Sequence, residues 1–224
     1  MRERIADWRF RRRLAALGKS GQELLSAYAG ARWPAPDLPL REAALLALDF
    51  ELDGLARDAH VLQAGWLAFD TGGIALDGAM SLDIRSARRL DDGAVTVHGI
   101  GEERAREGQP LRQVLEPLVS ALSGRVLVAH GAAIEMEVIE RTTRACFGEA
   151  LPVRAICTLE LERRLHPNLV GSDAYRLAAV RARYNLPAYD QHDALSDALA
   201  AAELLLAQAR RLPADVRLGS VLRG

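Results

Sequence analysis

The chain has 224 residues, half of them hydrophobic and 26% charged, with 29 Lys and Arg against 30 Asp and Glu for a formal net charge of −1. That is enough for one sizeable core with an appendage, and the charge balance excludes a chain that coats nucleic acid over its whole surface, though not a local basic groove. Cys146 and Cys157 are too few for a disulfide framework, no apolar run nears the roughly 20 residues of a membrane span, and no apolar stretch follows the N-terminal charges, so a cytoplasmic chain without membrane contact is expected.

Residues 1–30 open with Arg2, Arg4, Arg9, Arg11, Arg12 and Arg13. Ile5, Trp8, Phe10, Leu14 and Leu17 fall close to helical spacing, which predicts a basic amphipathic helix, followed by a short helix around Gln22–Tyr28. Such a helix either packs by its apolar stripe, leaving a solvated arginine face, or contacts a phosphate backbone, an acidic partner or a membrane surface. Pro34, Pro36 and Pro39 mark a linker, so residues 1–39 form an extension and the main domain starts near Leu40.

Ala43–Leu48 is a short unbroken apolar run, as in a strand buried on both faces, and it leads into Asp49-Phe50-Glu51. Successive strand residues point to opposite faces, so Asp49 and Glu51 share one face and Phe50 takes the other. Two adjacent carboxylates repel unless compensated, and a divalent cation is one remedy; a strand ending in a polar turn is the other reading. Val61–Phe69 and Ile74–Ile84 read as two further strands of an antiparallel meander. Residues 85–110 are polar and irregular and contain a loop at 97–103. Gly99-x-Gly101 lacks the strand–turn–helix setting of a dinucleotide site, and there is no P-loop.

Pro110–Leu122 reads as a helix with Pro117 as an irregularity, Arg125–Ala129 as a buried strand, and Ala132–Phe147 as a helix. Val153–Cys157 reads as a strand, and Leu159–Leu165, Asp173–Tyr184 and Ala194–Arg211 as helices, while the tail after Pro213 carries no clear signal. Strands first, then strand–helix alternation, predicts an α/β fold with a mixed sheet flanked by helices over residues 40–212 and a tail at 213–224. Glu135 falls one turn into the helix after the Arg125–Ala129 strand, and Glu137, about 200° around it, cannot face the same site. Asp197 lies near the start of the last helix. Asp193, four residues earlier, can share its face, whereas His192 converges on it only from a loop before the helix.

The order strand-Asp-x-Glu, strand-His-helix-Glu, then His-x4-Asp resembles the DEDD superfamily of 3′–5′ exonucleases in its DEDDh branch. That branch includes the epsilon proofreading subunit of bacterial DNA polymerase III, RNase T and oligoribonuclease. Asp49-Phe50-Glu51-Leu52-Asp53-Gly54-Leu55 matches the first motif, DxExTGL. Val61-Leu62-Gln63-Ala64-Gly65 stands at the following IIEIG-like strand, and His98-Gly99-Ile100-Gly101-Glu102-Glu103 at an HGIT-E-like loop. Val128-Ala129-His130-Gly131-Ala132-Ala133-Ile134-Glu135 matches VAHNAxFD, Cys157-Thr158-Leu159 a DTL-like strand end, and His192-Asp193-Ala194-Leu195-Ser196-Asp197-Ala198 matches HxALxDA. The departures are Asp53 for threonine, Gln63 for glutamate, Gly131 for asparagine, Cys157 for aspartate and Glu135 for aspartate. Glutamate keeps the charge and oxygen ligands on an arm one methylene longer.

The resemblance implies a ribonuclease H-like mixed five-stranded sheet with a helical N-terminal extension. It implies two divalent cations, Mg²⁺ or Mn²⁺, held by Asp49, Glu51, Glu135 and Asp197, with His192 as general base; histidine as a residue type titrates near neutral pH. Phe50, Leu52, Asp53, Gly54 and His130 would then line the substrate. The expected activity is release of nucleoside 5′-monophosphates from single-stranded 3′ ends, with DNA expected and RNA as the alternative. A polymerase or other protein partner at the basic N-terminus is also expected. The rival readings are a nucleic-acid- or polymerase-binding scaffold, favoured by Glu135, and a cysteine nucleophile, for which neither cysteine has a placeable histidine.

Overall fold

The computed structural model describes residues 2–54, 56, 58–86, 93 and 99–223. Leu55 and His98, both within the family-like motifs, lie outside the described residues. Five strands form one sheet: β1 (Leu45–Leu52), β2 (Val61–Asp70), β3 (Gly73–Asp83), β4 (Val126–Ala129) and β5 (Ala155–Cys157), in the order β3-β2-β1-β4-β5. The first three strands are an antiparallel meander, while β1–β4 and β4–β5 are parallel, so the mixed sheet expected from the sequence is present.

Alternation along β1 sorts the core. Leu46, Leu48 and Phe50 enter a cluster on one face, whereas Leu45 and Ala47 enter a second cluster on the other. The first face is covered by α1 (Arg2–Leu17), α2 (Glu23–Gly30), α4 (Leu111–Leu122) and α5 (Ala133–Phe147). The second is covered by α6 (Thr158–Leu165), α8 (Ala194–Ala209) and α9 (Leu218–Val221). A short α3 (Glu102–Glu107) follows β3, and α7 (Leu177–Arg183) precedes α8. Helix α4 continues through Pro117, and α5 stops at Gly148, whose φ of +76° suits glycine.

Three expectations need correction. The stripe of α1 starts later than predicted: Phe10, Leu14 and Leu17 are buried, but Ile5 and Trp8 are 45% and 58% exposed. The seam begins where Phe10 meets the Trp33 ring at 5.1 Å and the Arg154 guanidinium at 4.1 Å. Asp173–Tyr184 is not one helix but a 3-10 turn over Ser172–Tyr175 and then α7, with Arg176 extended between them. Tertiary bonds from His130 Nε2 to the Tyr175 carbonyl and from the Tyr175 hydroxyl to the His166 carbonyl hold that turn out of helical line. The tail is also ordered by packing: the Leu218 and Gly219 amides donate to the Leu38 and Pro36 carbonyls, and the Arg223 amide donates to the carbonyl of Ala155 at the start of β5.

Gly65 decides how closely α8 can approach. It pairs with Asp49 across β1–β2, so both residues face α8. A Cβ at Gly65 would lie 2.1 Å from the Leu195 nitrogen and 2.2 Å from the Ala194 carbonyl carbon. The first turn of α8 therefore rests backbone on backbone, and Ala198 and Ala202 on its inner face keep the approach close. Gly65→Ala should destabilise the protein by about 3 kcal/mol or more, read by urea denaturation. Gly78→Ala, where a Cβ meets nothing within 4 Å, should change stability by less than about 0.5 kcal/mol.

Candidate active site

Strand β1 pairs with β4 only as far as Ala47–Val128, so its last residues run past the end of that parallel pairing. Asp49 and Glu51 sit on that overhang, at the carboxyl end of the parallel pair where crevices form in such sheets. Helix α8 brings Asp197 onto the same face from its first turn. Among the described residues, Asp49, Glu51 and Asp197 each offer an oxygen within 4.8 Å of the others. Glu135, in the first turn of α5, stands outside that group but is 4% exposed, and after burial its charge is the strongest influence raising Asp49. Among the described residues, its Oε2 has no hydrogen-bond partner. Glu137 faces away, half exposed and 3.6 Å from Arg141.

The electrostatics follow from burial and from like charges. Asp49 is pushed well above the usual carboxylate range by burial, then by Glu135, Asp197, Glu51 and Asp193, so among the described residues the charges acting on it are carboxylates. Burial, followed by the Asp197 and Asp193 charges, pushes Glu51 up to about 7. Burial pushes Glu135 up to about 8. Asp197 is raised by burial, but donors oppose the shift: the Tyr189 hydroxyl reaches Oδ1 at 2.8 Å and the His192 amide reaches Oδ2 at 2.7 Å.

His192 lies in the loop before α8, as convergence on Asp197 requires, with an exposed ring and a φ of +66°. Asp193 is the N-cap of α8, its Oδ1 accepting the Ser196 amide at 3.0 Å. Gln63, opposite Glu51 across the β1–β2 ladder, accepts the Ala194 amide at 3.0 Å and donates to Asp83 at 3.2 Å and to Asp193 at 3.5 Å. At this position an amide holds the helix start without adding another negative charge. A glutamine in place of glutamate was the sequence signal for it. For Gly65 the signal was a glycine inside a strand. Tyr189 carried no signal at all.

The expected substrate-lining residues divide. Phe50 is buried in the core on the opposite face of β1 from Asp49 and Glu51, and half-buried Leu52 packs against the same cluster. Asp53 closes the β1–β2 turn, its Oδ1 accepting the His60 amide at 2.6 Å and its own amide donating to the His60 carbonyl. Gly54 follows at a φ of +151°. His130 has both ring nitrogens engaged: Nε2 donates to the Tyr175 carbonyl at 2.8 Å, and the Thr158 hydroxyl lies 2.8 Å from Nδ1. Burial lowers its pKa, so it ties β4 to α6 as a neutral ring.

The same strands and helices carry a family signature. An exonuclease family model, RNase T, matches residues 46–205. A protein of Mycobacterium tuberculosis whose name couples an exonuclease with an endonuclease is 27% identical over 212 residues; the match takes in 89% of this chain but only 32% of that longer protein. The DNA polymerase III subunit epsilon of Treponema pallidum is 25% identical over 162 residues, 72% of this chain and 74% of its own. The nuclease domain of 3′hExo, described as a DEDDh family member bound to rAMP, superposes with a TM-score of 0.65 at 14% identity, over 82% of this chain and 98% of its own. With its match running from the strand that bears Asp49 to the helix that bears Asp197, this chain belongs to the RNase T exonuclease family.

Proposed function

We propose that this chain is a metal-dependent 3′–5′ exonuclease that releases nucleoside 5′-monophosphates from single-stranded DNA ends, of a proofreading or repair type. The observation that carries this reading is the convergence of Asp49, Glu51 and Asp197 within 4.8 Å, with the charge of buried Glu135 acting on Asp49. The donor set is all oxygen, and among the described residues the charges acting on Asp49 are carboxylates, so these residues fit two hard divalent cations, Mg²⁺ or Mn²⁺. Such cations, when bound, supply positive charge to the phosphodiester and acidify an attacking water.

The chain's own residues do the rest. Asp49, Glu51, Asp197 and Glu135 would hold the cations, Glu135 from the first turn of α5 beside the three clustered carboxylates. His192, poised on the exposed loop and fixed through its amide to Asp197, takes the proton from the attacking water. The close seat of α8 on Gly65 keeps the proton acceptor and the acidic cluster in one rigid frame. DNA is favoured by the epsilon relative, which also supports a polymerase partner on the exposed arginine face of α1. RNA is the second reading, drawn from the rAMP bound by 3′hExo.

Single-stranded DNA and RNA, each labelled at either end and incubated with Mg²⁺, Mn²⁺ or EDTA, test the reading. Shortening of 5′-labelled DNA from its far end, dependent on metal, is expected; degradation in EDTA, or shortening from the 5′ end, would sink it. Asp49→Asn should lower the rate by roughly a hundredfold or more and weaken metal binding together. His192→Ala should lower kcat by about 10²–10⁴ while leaving metal binding intact.

The raised carboxylates also give the stability a direction with pH. Glu51 and Glu135 keep their protons in the folded protein up to about 7 and about 8, whereas the unfolded chain releases them near the ordinary value of 4.5. The folded state thus binds more protons through that window, and metal-free stability falls as pH rises from about 5 to 8. Cations compete with those protons, so the rise in Tm produced by millimolar Mn²⁺ should grow over the same range. Melting curves at stepped pH, with and without Mn²⁺, read both trends, and Glu135→Gln should flatten the metal-free slope.

A further inference from the structure

We propose that Tyr189 is a positioning residue for the acidic site, its hydroxyl fixing the plane of the Asp197 carboxylate for the cation it would hold. The inference rests on the metal-dependent reading above. Tyr189 lies in the loop between α7 and α8, three residues before His192, and donates to Asp197 Oδ1 at 2.8 Å. The His192 amide donates to Oδ2 at 2.7 Å. Each oxygen thus has one donor from the loop and retains lone-pair capacity for a cation. An aspartate in the first turn of a helix is otherwise free to rotate about two side-chain bonds. Two donors on opposite oxygens hold it in one plane, as outer partners do for metal-ligating carboxylates elsewhere.

The phenol ring is itself held. The Arg181 guanidinium lies 5.0 Å from its centroid, and Arg181 is 2% exposed. That guanidinium donates from Nη1 to the Ala200 carbonyl at 2.8 Å and from Nη2 to the Pro187 carbonyl at 3.0 Å, and it pairs with Glu203 at 2.7 Å. One buried cation therefore ties α7, the loop and α8 together around the Tyr189 ring. Burying a charge is costly unless it is paired, and here both Nη atoms are paired while Nε has no partner among the described residues. Placed here, it makes the phenol a fixed point rather than a mobile side chain. Tyr184, at the start of the same loop, offers a contrast: its hydroxyl goes to the buried Glu162, away from the acidic cluster.

The test compares wild type, Tyr189→Phe and Tyr184→Phe by three readouts. These are Mn²⁺ affinity by calorimetry, Tm without cation, and kcat and KM on a single-stranded oligonucleotide. Tyr189→Phe should weaken Mn²⁺ binding by about tenfold and lower kcat with KM for the oligonucleotide unchanged. Tyr184→Phe should lower Tm but leave Mn²⁺ affinity within about twofold. A Tyr189→Phe protein that loses Tm yet binds Mn²⁺ as wild type does has lost only packing, and the proposal is overturned. The same substitution on an Asp197→Asn background gives a second reading: no further loss of Mn²⁺ affinity is expected, and an independent loss overturns the assignment. If wild type binds Mn²⁺ and cleaves while Tyr189→Phe matches it, the Tyr189 assignment alone falls; if wild type does neither, the nuclease reading falls with it.

Discussion

A backbone-on-backbone contact holds the acidic residues together. Where α8 crosses β2 at Gly65, no side chain keeps helix and sheet apart, and the strand residue paired with Gly65 is Asp49. The helix start, its Asp193 cap, the His192 loop and Asp197 therefore descend as a unit onto the overhanging end of β1. Gln63 completes the grip by accepting the Ala194 amide from two residues along β2 on the same face. This juxtaposition of a strand and a helix far apart in sequence brings Asp49, Glu51 and Asp197 into one cluster.

Such a site works against folding. Carboxylates forced together out of water raise each other's pKa, and each ionisation in the folded state is opposed by the others. The opposing stabilisation comes from two well-filled cores, one on each face of the sheet. The divided burial of β1 serves both demands: its apolar residues anchor both layers, and its last residues hold the charges where β4 has ended.

Much of this was legible from the residues alone. The alternation Asp49-Phe50-Glu51 puts two carboxylates on one face because strand geometry has a period of two, and the structure follows it. The loop position of His192 follows from the impossibility of meeting Asp197 within a continuous helix. What could not be read was non-local. Nothing in the spacing marks Tyr189 as a partner of Asp197, since the contact depends on a loop folded back by a buried arginine. The break at Arg176 comes from tertiary bonds at Tyr175 that local propensity does not register. The late start of the α1 seam depends on where Trp33 and Arg154 stand.

The N-terminal helices carry a consequence of their own. Tyr28 donates from its hydroxyl to the Pro152 carbonyl at 2.6 Å, Gln22 reaches the Phe147 carbonyl at 2.7 Å, and Arg154 bonds both the Pro34 carbonyl and Asp7. Phe10, Leu14, Leu17, Leu25 and Tyr28 belong to the same apolar cluster as Phe50 and Val138, while Leu218 and Val221 fill the cluster on the other face. The two cores therefore take in residues on both sides of the matched family segment, 46–205. Cut to that segment, the sheet would lose part of the cover on both faces, and Arg154 would be left as a buried guanidinium without its carboxylate. Substitutions at Phe10, Leu14, Leu17, Leu25 or Tyr28 therefore bear on the same core that β1 anchors, although they lie far from the acidic residues in sequence.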